Sequence, residues 1–153
     1  MCRFSGIRPT NATAMARSYH ILLIDDDPVF VFVTTKLLHN VGSFAPITVC
    51  DNGESALKVL HDIIDKAAPL PDIIFLDLNM PGMNGWQFLK AYAALLPKMP
   101  RQPLLYVVSS SISARDINRA KKLPIVQGYI SKPLSTQKLD NLFQSLALQK
   151  NNP

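Results

Sequence analysis

Three observations predict an α/β fold, a doubly wound five-stranded parallel sheet of order 2-1-3-4-5. Short apolar runs alternate with helical patterns five times, which argues for a parallel sheet covered on both faces. The runs at 21–24, 73–76 and 104–108 are continuously apolar rather than alternating, as strands buried on both sides require. Each run is followed by a polar residue: Asp25 and Asp26 after the first, Asp77 and Ser109 after the other two, and Lys132 after the run 126–131. Parallel strands end at one sheet edge, where open α/β folds bind their ligands, so acids, a hydroxyl and an amine are expected to converge there.

In chain order, residues 1–18 mix Ser, Thr, Asn, Pro and Arg without an apolar period. They are expected to be a flexible tail outside the fold, with Met15 as a second candidate start. Asp27-Pro28 supplies an N-cap and the proline favoured at a first helical position. The segment Val29-Phe30-Val31-Phe32-Val33 has strand propensity, so this helix rests on its cap and its context. Ile47 to Cys50 is shorter and less apolar and suits an edge strand. Asn52-Gly53-Glu54 opens a second helix with Leu57, Leu60 and Ile64 on one face, and Asn84-Gly85-Trp86 opens a third carrying Phe88, Leu89 and Leu95.

Three prolines between Leu96 and Pro103 predict a loop. Ser113 with Asp116 is a capping-box variant ahead of a basic helix. Ser135 opens the last helix, where Leu139, Leu142, Phe143 and Leu146 follow the spacing of a core-facing stripe. One domain is expected over 19–149, with a C-terminal tail at 150–153.

Composition excludes several classes. With 48% apolar and 18% charged residues the chain reads as globular rather than disordered. It has no apolar run near the roughly 18 residues of a spanning helix, and no secretory h-region at its start. A cytoplasmic protein without membrane contact is expected. The net charge of +5 includes Arg3, Arg8 and Arg17, leaving 13 basic against 11 acidic residues in the body. That balance argues against nucleic acid as a partner. Arg115, Arg119, Lys121 and Lys122 form the one dense basic stretch of the body.

Cys2 and Cys50 match neither a metal knuckle nor a disulfide framework and are expected to be free thiols. His20, His39 and His61 are too scattered for a metal cluster. Phe30, Phe32 and Trp86 read as core or pocket-rim aromatics.

Crowded carboxylates repel and raise the pKa of at least one unless a cation joins them. Asp25, Asp26 and Asp77 at adjacent strand ends therefore imply a divalent cation. Magnesium suits them, since it takes one or two carboxylates and leaves room for a phosphoryl group. One carboxylate can then attack phosphorus and form an acyl phosphate, with Lys132, Ser109 and the metal facing the transferred oxygens. Asp27 before Pro28 reads as the helix cap.

Ile21 to Pro28, Ile74 to Gly85, Val107 to Ser111 and Tyr129 to Pro133 together resemble the receiver domain of two-component response regulators, over about residues 19–149. The resemblance implies a flavodoxin-like receiver fold in which Asp77 accepts a phosphoryl group from the phosphohistidine of a histidine kinase. It implies that Asp26 ligates magnesium directly, Asp25 mostly through water, and Asn79 through its backbone carbonyl. It further implies that Lys132 pairs with the phosphoryl group, that Ser109 moves to meet it, that Tyr129 turns inward in response, and that the bond before Pro133 is cis. Asn79 and Ser111 would flank the phosphoryl group and govern water access.

This chain has Ser109 where Thr is commoner in the family, Asn84 where Asp is usual before Gly85, and Ile125-Val126 where Gly-Ala usually stands.

The function expected is a single-domain response regulator, not a dedicated metabolic enzyme. It would signal to an unknown, acidic target through the fourth helix, fifth parallel strand and fifth helix. Three alternatives stay open: a phosphorelay shuttle to a histidine phosphotransfer protein, a binding module without phosphorylation, and a magnesium-dependent aspartyl phosphatase. The last wants a general acid two residues beyond its nucleophile, and Asn79 cannot act as one.

Overall fold

The computed structural model describes residues 2–5, 19–41 and 44–151. The strands are β1 (Cys2–Ser5), β2 (Tyr19–Ile24), β3 (Phe44–Cys50), β4 (Ile73–Leu76), β5 (Leu104–Ser109) and β6 (Val126–Ser131). The helices are α1 (Pro28–Asn40), α2 (Gly53–Asp65), α3 (Gly85–Leu95), α4 (Ala114–Lys121) and α5 (Thr136–Asn151). The sheet order is β1-β3-β2-β4-β5-β6. Strands β2 to β6 are mutually parallel, and numbered by themselves they run 2-1-3-4-5, as the sequence predicts.

Alternate residues of each central strand feed two separate cores. Leu22, Ile24, Ile74, Leu76, Leu105 and Val107 point into one, with Ala56 and Leu60 of α2, Phe88, Leu89 and Tyr92 of α3 and Ala120 of α4. Ile21, Leu23, Ile73, Phe75, Tyr106 and Val108 point into the other, with Leu38 of α1 and Leu139, Leu142 and Leu146 of α5. All four residues of β4 are buried. This two-sided burial is why the strands read as apolar runs without alternation.

Helix α1 forms despite its β-branched start. Pro28 occupies its first turn, and Asp27 accepts from Val29 N at 3.0 Å and Phe30 N at 3.3 Å. Asn52 caps α2 through Ser55 N. Asn84 and Gln87 form a reciprocal capping box at the start of α3, at 2.9 Å in both directions.

The structure corrects five expectations. Residues 2–5, expected within a flexible tail, form β1, which pairs antiparallel with β3; the remainder of that tail lies outside the described residues. Consequently β3 is an internal strand, and it begins at Phe44 rather than Ile47. Cys50 is not a free thiol but is disulfide-bonded, and the register sets Cys2 directly opposite it. Leu96–Lys98, expected in a loop, make a short 3-10 turn, with Pro97 near its start where a missing N–H costs nothing. Helix α5 runs through Asn151, two residues into the expected C-terminal tail; residues 152–153 lie outside the described residues.

No helix among the described residues is long and apolar enough to cross a membrane.

Candidate functional site

Backbone hydrogen bonds carry the sheet pairing one step past the strand ends and fix the polar residues there. Asp25 N donates to Cys50 O at 3.0 Å, Asp77 N to Ile24 O at 3.0 Å, and Lys132 N to Ser109 O at 2.9 Å. The side chains of Asp25, Asp77 and Lys132 are thereby brought together from the ends of β2, β4 and β6. One carboxylate oxygen from each of Asp25, Asp26 and Asp77 lies within 4.8 Å of the others.

Asp25 is 2% exposed and Asp77 5%, whereas Asp26 faces solvent. The Lys132 ammonium stands 2.8 Å from Asp25 Oδ2 and 3.6 Å from Asp77 Oδ2. The remaining oxygens accept backbone donors, Asp25 Oδ1 from Asp27 N at 2.9 Å and Asp77 Oδ1 from Asn79 N at 3.3 Å.

One ammonium between two buried acids does not balance their charge. Burial and the neighbouring Asp25 carboxylate push the Asp77 carboxyl up to about 6, against the pull of Lys132. Burial likewise raises Asp25, with Lys132 opposing. Three hard oxygen donors at one sheet edge, short of positive charge, could hold a divalent metal.

The other site residues form a second group around the loop after β5. Ser109 is fully buried, and its Oγ accepts from Ser111 N at 3.1 Å. Ser111 Oγ donates to Asp116 Oδ2 at 2.8 Å and accepts from Ser113 N at 3.3 Å. The Tyr129 hydroxyl donates to Ser111 O at 2.7 Å. Ser113 makes no side-chain cap, so the expected Ser113–Asp116 box is absent; Asp116 instead accepts from Ser111. The Lys132–Pro133 bond is cis.

Sequence reasoning missed three supports. The Phe30 ring, read as core or rim, stands 4.1 Å from the Lys132 ammonium. Lys138 Nζ ties down the carbonyls of Ser131 and Pro133, at 2.7 and 3.0 Å, on either side of Lys132. Gly85 lets α3 lie against the turn after β4, since a Cβ there would sit 2.6 Å from Asp77 O. Asn84-Gly85 marked the helix start but not this approach. Nothing in the spacing of Phe30 points to a lysine about a hundred residues away.

A family model described as the response regulator receiver domain matches residues 21–144. The chain belongs to the response regulator receiver family. Residues 21–144 thus form a receiver domain, a phosphoacceptor-type signalling module of two-component systems. The receiver is 32% identical to a two-component response regulator from Cytophaga hutchinsonii, with a TM-score of 0.77 over 87% of this chain and 99% of that one. It is 30% identical to the chemotaxis protein CheY of Pseudomonas aeruginosa over 81% of this chain and 95% of that protein. It is 27% identical to the sensor histidine kinase GacS of Pseudomonas protegens over 92% of this chain but 15% of that protein. The chain spans less than one third of the length of several curated relatives that it matches, GacS among them.

Proposed function

We propose that Asp77 takes a phosphoryl group from the phosphohistidine of a partner histidine kinase. The observation that carries this reading is the meeting of Asp25, Asp26 and Asp77 within 4.8 Å with Lys132 against the two buried members. An Asp77 oxygen attacks phosphorus as the donor's phosphorus–nitrogen bond breaks. The bonding electrons return to the imidazole, which takes a proton from water, and Asp77 becomes an acyl phosphate.

Lys132 is placed to meet the charge on the transferred oxygens. The Ser109 hydroxyl can join it by turning away from Ser111 N. Asp25, Asp26, Asp77 and the Asn79 backbone carbonyl would hold magnesium, which supplies the positive charge that Lys132 alone does not.

Phosphorylation then shifts a two-state equilibrium read out on the face of α4, β6 and α5. The bond from Tyr129 on β6 to Ser111 ahead of α4 supports that linkage, since any shift of the loop moves both. Exposed Lys121 and Lys122 favour an acidic target. Arg119 is a poorer contact residue, because its guanidinium lies 4.0 Å over the Trp86 ring. The reading places the protein in the cytoplasm.

Intact-protein mass spectrometry after incubation with acetyl phosphate and magnesium tests phosphorylation. One phosphoryl adduct is expected, lost in Asp77→Asn and in EDTA; an adduct that survives in Asp77→Asn contradicts the reading. For the output face, Lys121→Glu with Lys122→Glu should weaken target binding at least about tenfold at low salt while adduct formation is unchanged. Unchanged binding removes the acidic-target reading.

A further inference from the structure

Lys132 reaches the acids on a flexible four-carbon stem whose charge is a compact point. Its backbone is fixed by the bond to Ser109 O and by Lys138, which holds the carbonyls on either side. Three groups from three elements surround its ammonium: Asp25 Oδ2 at 2.8 Å, Asp77 Oδ2 at 3.6 Å, and the Phe30 ring centroid at 4.1 Å. The face of an aromatic ring attracts a cation at that distance. An ammonium has three donors and no acceptor, and the ring face adds an attractive contact beside the two carboxylates.

The ring is itself set by the acidic segment. Phe30 lies in the first turn of α1, and its N–H is one of the two that Asp27 caps. The run Asp25-Asp26-Asp27 therefore supplies two site carboxylates and, through the cap, orients the residue that faces their counter-ion. Phe30 also packs against the core shared by α1 and α5, so an aliphatic replacement keeps apolar contact while losing the ring face.

We propose that Phe30 is a positioning residue for phosphoryl transfer, its ring holding the Lys132 ammonium where a phosphoryl group on Asp77 would meet it, a role that rests on Asp77 being the phosphoacceptor.

The test is the initial rate of adduct formation from acetyl phosphate and magnesium in wild type, Phe30→Leu, Phe30→Tyr, Lys132→Gln and the Phe30→Leu, Lys132→Gln double variant. Thermal unfolding of each accompanies the rates, and Phe30→Met replaces Phe30→Leu if the latter does not fold. Phe30→Leu should slow the rate about three- to thirtyfold, the range of a partly desolvated cation–π contact. Phe30→Tyr, which keeps the ring, should stay within about twofold, and Phe30→Leu should add no further loss once Lys132 is Gln.

A Phe30→Leu rate equal to wild type overturns the proposal. So does equal slowing by Phe30→Tyr, or the same slowing in the Lys132→Gln background, either of which marks a packing role alone. A wild type that forms no adduct overturns the phosphoacceptor reading as well, and so is told apart from failure of the Phe30 role.

Discussion

Asp25 and Asp77 carry the cost of the site at the scale of single residues. Both are buried, and Lys132 touches both, yet Asp77 still sits at about 6 against an ordinary 3.8, because burial and Asp25 together outweigh one ammonium. A carboxyl raised in the folded state binds its proton more tightly there than in the unfolded chain. Its stabilising contribution is full below the unfolded value and is lost as pH rises through the folded one. In metal-free buffer, stability should therefore fall between pH 4 and about 7, by at most about 3 kcal/mol from Asp77 at 1.36 kcal/mol per unit. Urea unfolding at pH 5 and 7.5 in EDTA, for wild type and Asp77→Asn, reads this directly. The variant should lose much of the fall and be the more stable at pH 7.5, and an identical fall in both would assign it to other groups. The strand-end residues Asp25, Asp26, Asp77, Ser109 and Lys132 were legible because they follow apolar runs. Phe30 was not, because its role depends on where a lysine about a hundred residues away in the chain comes to lie.

Among the elements, α3 shows how helix placement and site geometry share one residue. Its capping box starts the helix at Gly85, and Gly85 N donates to Leu78 O at 3.0 Å, which locks the turn carrying Asp77 onto the helix start. A methyl at Gly85 would sit 2.6 Å from Asp77 O and 2.7 Å from Leu78 Cα, both rigid backbone atoms. Gly85→Ala should then cost about 1–3 kcal/mol, as overpacking does. Because the strain falls on Asp77, it should slow adduct formation too. Equilibrium unfolding and the adduct rate together check this; a variant as stable and as fast as wild type contradicts it. Helix α1 was the element least secured by its own residues, since its first turn is β-branched and aromatic and only the Asp27-Pro28 start argued for helix. Its exposed Val29, Phe32 and Val33 show why the pattern read ambiguously: apolar side chains lie on both its solvent and core faces. The Ser113–Asp116 prediction failed for a local reason, as Ser111 captures Asp116 first.

For the whole molecule, the five-stranded parallel sheet was readable from run, cap and strand-end chemistry, and its order came from the doubly wound fold class those signals indicate. The sixth strand was not. Cys2–Ser5 is four residues long and belongs to a segment without apolar period, so only its pairing with β3 identifies it. The same pairing explains the disulfide at Cys50, which cysteine spacing in the sequence does not suggest: the register brings Cys2 opposite, although 47 residues separate them in the chain. Strand β1 joins the sheet at the end far from Lys132, with β3 and β2 between it and β4. The proposed phosphoryl site thus lies at the ends of the parallel strands β2, β4 and β6, none of which pairs with β1. In the proposed function Asp77, and no other carboxylate of the cluster, forms the acyl phosphate. Borohydride reduction of acetyl phosphate-treated protein, followed by peptide mass spectrometry, converts such a residue to homoserine and locates it. Homoserine at position 77 and at neither 25 nor 26 is the predicted result; homoserine at Asp25 or Asp26, or an unmodified peptide from protein that carries the adduct, would contradict it.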